Sequence, residues 1–255
     1  MGEREATRAL TGDPPDLASN DVVRLSGVVT LFRDQPQITV TATRSIEVLP
    51  PGAALASTVS EPASASPIAD VRAGTVAKVQ GQVTAVESFS SGFKFTLQDD
   101  SGSLTLVLNE AVYKNIPGLD GLRSGAQVAA FGFAEIFRGQ LEIQPVEADD
   151  VTLLAPGHPA GNPVAINTLG LTQIGQTLTI AGRITAVDKF SKGQRLTLDD
   201  GTGAITVLLW DNVLAYVPSA EKLKADQSVT VTGRLDQYQG ALEIAPQIGF
   251  DVEVE

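Results

Sequence analysis

Two stretches of the chain alternate apolar and polar residues with the period of a β-strand, and they do so in the same order. Residues 76–87 (VAKVQGQVTAVE) alternate around Gly81, as in a long half-buried strand. Residues 93–97 (FKFTL) and 104–108 (LTLVL) predict two short strands, with DDSG at 99–102 as the hairpin turn between them. Residues 109–116 (NEAVYKNI), ending at Pro117, predict a short helix or helical turn. Residues 128–137 and 141–146 predict two further strands, joined by a tight hairpin at Arg138-Gly139-Gln140. A glycine inside a strand marks a bulge or sharp bend, so one is expected at Gly81.

The same order returns 101 residues later. Residues 81–145 lie over 182–246 without a gap, and 23 of the 65 pairs are identical, which makes two copies of one fold. Gly81 falls on Gly182, Phe89 on Phe190, Asp99 on Asp200 and Pro117 on Pro218, and LEI at 141–143 meets LEI at 242–244. A partial copy precedes them. Residues 22–38 (VVRLSGVVTLFRDQPQI) lie over 127–143, matching Gly27 to Gly132 and Phe32-Arg33 to Phe137-Arg138, so only the C-terminal half of a repeat is recognisable there. The expected division is a partial copy at 1–48, a Pro/Ala/Ser-rich linker at 49–72, a domain at 73–153, a Pro/Gly linker at 154–167 and a domain at 168–255.

Composition narrows the chemistry. The absence of cysteine removes disulfides, thiolate metal sites and Cys nucleophiles. The single histidine, His158, lies in the Pro/Gly linker and reads as a solvated loop residue. No nucleophile–base–orienter set can be assembled, so the chain is expected not to be an enzyme and to need no cofactor. The paired aspartates at 99–100 and 199–200 read as turn residues accepting backbone N–H bonds, not as ligands of a divalent metal. No apolar span of 18 residues exists, so membrane insertion is not expected. Residues 1–10 lack the apolar core of a signal peptide, and any export signal would have to lie upstream. The net charge is −12 and every segment is acidic, which argues against a basic surface spread over the whole molecule but not against a local one.

Within the last copy three motifs stand together: Gly182-Arg183-Ile184 on the first strand, Asp200-Gly201-Thr202-Gly203 in the turn, and Gly233-Arg234-Leu235 followed by Tyr238-Gln239-Gly240 in the late hairpin. With the strand order they resemble OB-fold domains of the bacterial nucleic-acid-binding, anticodon-binding-like type. The resemblance implies an all-β protein of tandem five-stranded OB-fold Greek-key barrels, two complete plus an N-terminal partial copy. It also implies where a ligand lies: across the second and third strands, between the loop after strand one and the hairpin joining strands four and five. Single strands are held on such a face by aromatic stacking and by cations near the phosphates.

In the last copy those places carry Arg183, Lys189, Phe190, Lys192, Arg195, Trp210, Arg234 and Tyr238. Alternation puts Ile205, Val207 and Leu209 inside and Thr206, Leu208 and Trp210 outside. The second copy has Gln82, Ser88 and Ser91 where the last has Arg183, Lys189 and Lys192; Lys94 matches Arg195, Asn109 replaces Trp210 and Phe133 replaces Arg234. The core pattern persists while the charged and aromatic face is lost, so the last copy is expected to bind and the second to support it. Two functions follow. The first is non-catalytic binding of single-stranded nucleic acid through the C-terminal copy. The second is a structural or interaction module of an exported or cell-surface protein, binding a protein or glycan, or self-associating through the N-terminal half-copy, since an isolated hairpin needs a partner.

Overall fold

A computed structural model describes residues 15–17, 22–32, 35–40, 46–49, 64–158 and 161–254. The second copy is built from β5 (Thr75–Phe89), β6 (Gly92–Asp99), β7 (Gly102–Asn109), a one-turn helix α1 (Glu110–Tyr113), β8 (Gln127–Phe137), β9 (Gln140–Gln144) and β10 (Val151–Ala155). The third repeats it with β11 (Thr177–Phe190), β12 (Gly193–Asp199), β13 (Ala204–Trp210), α2 (Asp211–Leu214), β14 (Ser228–Tyr238), β15 (Ala241–Ala245) and β16 (Val252–Val254). In each, five strands close on themselves. β5 pairs with both β6 and β8, β9 pairs antiparallel with β8, and a short parallel ladder joins β7 to β9 at Thr105↔Glu142 and Leu106↔Ile143. The third copy closes identically at Thr206↔Glu243 and Val207↔Ile244. These are two OB-fold barrels.

Pleat alternation supplies the cores: Phe93, Phe95 and Leu97 of β6 and Leu104, Leu106 and Leu108 of β7 are buried, as are Leu196, Leu198, Ile205, Val207 and Leu209 in the third copy. The first strand is long because it serves two partners. β5 leaves β8 for β6 at Gln82, and Gly81 lies so close to β6 that a Cβ there would come within 2.9 Å of the Gln98 carbonyl oxygen. Gly182 has the same relation to Asp199, at 2.6 Å. The register shift falls further on, between Val83 and Ala85 and between Ile184 and Ala186. The glycine therefore allows close approach where the strand changes partner, and the bulge that was expected at it sits at Thr84 and Thr185.

A sixth strand not foreseen in the pattern, β10 or β16, adds to the outer edge of β8 or β14. It also explains the N-terminal region, where β1 (Val22–Leu25) pairs with β4 (Ile46–Leu49) and β2 (Val28–Phe32) pairs with β3 (Gln35–Thr39). Phe32↔Gln35 repeats Phe137↔Gln140, and Leu25↔Ile46 repeats Ala130↔Val151. The partial copy thus carries the last two barrel strands and the sixth. Its Leu25, Val29 and Ile38 are exposed, whereas their counterparts Ala130, Ala134 and Ile143 are buried in the second barrel.

The turn aspartates have a structural task. Asp99 accepts N–H bonds from Ser101 and Gly102 on one oxygen and from Ile68 on the other, and Asp200 does the same with Thr202, Gly203 and Ile166. These bonds hold both carboxyls down to about 2, the Ser101 hydroxyl contributing most at Asp99 and the Ile166 amide most at Asp200. Each clamps the segment before its barrel onto the β-turn, so that Ile68 or Ile166 is buried against the core.

Candidate nucleic-acid interface

On the outer face of the third barrel the ladders align side chains in rows. Phe190, Gly193 and Trp210 form one row across β11, β12 and β13, and Asp188, Arg195 and Leu208 form the next. Thr206, Glu243 and Asp236 continue the face onto β15 and β14. The Phe190 and Trp210 rings meet edge to face with centroids 5.6 Å apart, and the Arg195 guanidinium lies over the Phe190 ring at 4.7 Å. Gly193 between them leaves room for this: a side chain there would press on the Phe190 ring and on β13. Trp210 is 40% exposed and Arg195 is exposed. Among the described residues Arg195 has no carboxylate within 4 Å. Glu243, on the same face, has its carboxyl pushed up by burial, with Arg195 opposing and Asp236 reinforcing.

The other sequence-derived candidates are dispersed. Lys189 alternates with Asp188 and Phe190, so it lies on the opposite face of β11. Lys192 is in the β11–β12 turn, where its carbonyl accepts the Asp211 N–H at 2.9 Å. Arg183 stands midway along β11, at the end of its ladder with β12 opposite Asp199, with its guanidinium 3.8 Å from the Asp226 carboxylate. Arg234 is 3.5 Å from Asp236 and lines a crevice between the barrels with Glu87 and Asp251. Tyr238 is 55% exposed at the tip of the β14–β15 hairpin. Phe190 therefore touches both Arg195 and Trp210, and Arg183 and Arg234 each face a carboxylate of their own barrel.

The corresponding face of the second barrel is closed. Lys94, the counterpart of Arg195, donates to Glu142 at 2.6 Å, and Glu142 is only 3% exposed. The Lys94 ammonium also lies 5.1 Å from the centre of the Phe137 ring. Asn109, in the place of Trp210, turns its side chain to cap α1, accepting the Val112 N–H at 3.0 Å.

The barrels are joined by contacts that repeat comparison did not single out. Tyr216, after α2, packs edge-on against Phe93 and Tyr113 of the second barrel at 5.8 and 5.0 Å. The Asn212 amide donates to the Phe89 carbonyl at 3.0 Å, the Ser88 N–H donates to Gln247 at 3.1 Å, and Arg123 faces Asp251 at 3.7 Å. The signal was a difference between copies: Asn212 and Gln247 stand where the second copy has Ala111 and Val146. Among the described residues no group of three or more Asp, Glu or His could hold a metal, and no helix is long and apolar enough to cross a membrane.

Residues 178–247 match the family model described as OB-fold nucleic acid binding domain (tRNA_anti-codon). A stretch of 127 residues is 32% identical to Endonuclease YhcR of Bacillus subtilis (strain 168), covering 48% of this chain and 10% of that protein. The chain thus spans about a tenth of the length of this relative. Solved structures with a similar fold include asparaginyl-tRNA synthetase from Pyrococcus horikoshii (22% identity, 37% of this chain and 22% of that one, TM-score 0.32). The p204 HINb domain aligns at 15% identity over 69% of this chain and 95% of its own, with a TM-score of 0.35. A replication protein A heterotrimer bound to ssDNA aligns at 21% identity over 32% of this chain and 58% of its own, with a TM-score of 0.26.

Proposed function

We propose that this chain binds single-stranded nucleic acid through the outer face of its third barrel and performs no catalysis itself. The observation that carries the reading is the open Phe190–Arg195–Trp210 cluster: two aromatic rings and a cation with no carboxylate within 4 Å among the described residues, on the strands where an OB fold takes its ligand. The rings offer stacking surface to bases, and the guanidinium offers a planar, charge-assisted donor to phosphate. The family match over residues 178–247 and the nuclease-named relative support the ligand class.

Fluorescence polarisation with a labelled single-stranded oligonucleotide tests it. Trp210→Ala and Arg195→Ala are each expected to weaken binding about tenfold, the scale of one base–aromatic contact. With about three phosphate contacts, raising salt from about 50 to 200 mM lowers affinity roughly ten- to twentyfold. Binding indifferent to both substitutions overturns the reading, and cleavage of the labelled strand overturns its non-catalytic part.

One observation favours an additional role for the half-copy. Leu25, Val29 and Ile38 occupy core positions of a barrel yet are exposed, and a second copy of this chain could cover them. Light scattering across a concentration series is expected to show a dimer that Val29→Asp together with Ile38→Asp dissociates. A monomer at every concentration removes this role.

A further inference from the structure

The aromatic cluster does not end at the edge of its own barrel. Trp210 and Lys192 also line a cleft of about 440 Å³ whose opposite wall belongs to the second barrel, at Ser88, Phe89 and Ser90 of the β5–β6 hairpin. That wall is latched in place. Asn212 holds the Phe89 carbonyl, Gln247 holds the Ser88 N–H, and the Gln247 amide is itself oriented by a bond to the Ala245 carbonyl at 3.0 Å. Because Ala111 and Val146 stand in place of Asn212 and Gln247 in the second copy, the latch belongs to this pairing of barrels and not to the fold in general.

The lining combines a partly exposed indole, a lysine, Asp211 and the exposed serine Ser90. An aromatic wall with a cation and hydrogen-bonding groups beside it suits a base that has left its stack, whose faces are apolar and whose edge and phosphate are polar. A paired base inside a duplex cannot enter without being extruded, which costs unstacking and unpairing energy. We propose that the cleft is a nucleotide subsite for a single strand crossing the third barrel, with the second barrel supplying its second wall. This rests on the reading of the third barrel as the nucleic-acid-binding one. It adds that the second barrel is part of the site and that the cleft selects single over double strands.

The chain has no cysteine, so Ser90→Cys introduces a unique thiol at the cleft. Alkylating that thiol with N-ethylmaleimide is expected to lower the affinity of the full chain for a twelve-nucleotide oligo-dT or oligo-U about tenfold, relative to the same protein before alkylation. The oligonucleotide in excess is expected to slow the alkylation severalfold, and a duplex of the same length is not. A thiol placed by Ser103→Cys, exposed on β7, reports whether alkylation harms binding from anywhere. If alkylation at position 90 changes nothing and the oligonucleotide gives no protection, while Trp210→Ala still weakens binding, the cleft proposal falls and the reading of the third barrel stands. If Trp210→Ala and Arg195→Ala also change nothing, both fall. Equal protection by duplex overturns the selection for single strands.

Discussion

At equivalent points on β6 and β12, Lys94 and Arg195 occupy the same place on the same fold and do opposite things. Lys94 is bonded at 2.6 Å to a carboxylate that is almost wholly buried, so its charge is neutralised within the barrel. Arg195 lies on an aromatic ring beside an exposed tryptophan, with no carboxylate within 4 Å among the described residues. Both barrels keep the acidic partner position, as Glu142 and Glu243, and both belong to an acidic chain. What separates a closed face from an open one is whether the cation has been taken up locally. Net charge does not report this, and a count of basic residues on a face does not either, since Arg183 and Arg234 are also met by aspartates.

The largest effect we expect concerns the seam that lets the two barrels differ while acting together. Asp251 is pushed up to about 7, chiefly by burial, with Glu253 adding to the shift and Arg123 opposing it. Tyr113, whose buried hydroxyl has no hydrogen-bond partner among the described residues, is pushed up by burial first, then by Tyr216 and Asp251. In the unfolded chain an aspartate releases its proton near pH 4. Between about pH 4 and 7 the folded protein therefore holds more protons than the unfolded chain, so stability falls as pH rises through that window. At about 1.4 kcal/mol per pH unit the full swing is about 4 kcal/mol. Asp251→Asn removes the titration. The unfolding free energy of this variant minus that of the natural chain should rise by that amount between pH 4 and 8, measured by urea denaturation. A difference that stays flat with pH means the seam does not bury this carboxyl.

Much of this was legible in the sequence, and the gaps have physical causes. Period-2 alternation exposes the barrel strands directly, because one face of each is core: Ile205, Val207 and Leu209 are buried as alternation requires. On the outer face the rule weakens, since Leu208 is also buried there. Alternation counted through residue 185 misplaces what lies beyond it, because the bulge shifts the register by one. Lys189 and Phe190, being adjacent in one strand, could not share a face in any register. The sixth strands are too short to show a period, and only pairing with β8 and β14 defines them. Arg183 meets Asp226 through turn geometry that the sequence does not display, whereas Arg234 and Asp236 share a face two residues apart on one strand, a pairing the sequence did show. The inter-barrel latch was encoded as well, in the contrast of Asn212 with Ala111. That contrast acquires meaning once Phe89 is known to lie opposite.

A smaller effect tests the comparison at its centre. If Lys94–Glu142 is structural and Arg195–Glu243 is not, removing the acid should harm the second barrel alone. Glu142→Ala strips the carboxylate from a cation whose side chain is mostly enclosed, at a position next to the short ladder that closes the barrel between β7 and β9. Breaking a buried pair from one side costs about 3–5 kcal/mol. Lys94 retains some access to water, so we expect a loss below that range, about 2–3 kcal/mol. Glu243→Ala removes a partly exposed group whose burial already opposes its charge, and should cost less than about 0.5 kcal/mol. Urea midpoints for the two variants decide the matter. Equal losses would mean that Arg195 is also held by its acid and that its face is not open. A large loss at Glu142 with none at Glu243 would separate a barrel that spends its cation on folding from one that keeps it for a ligand.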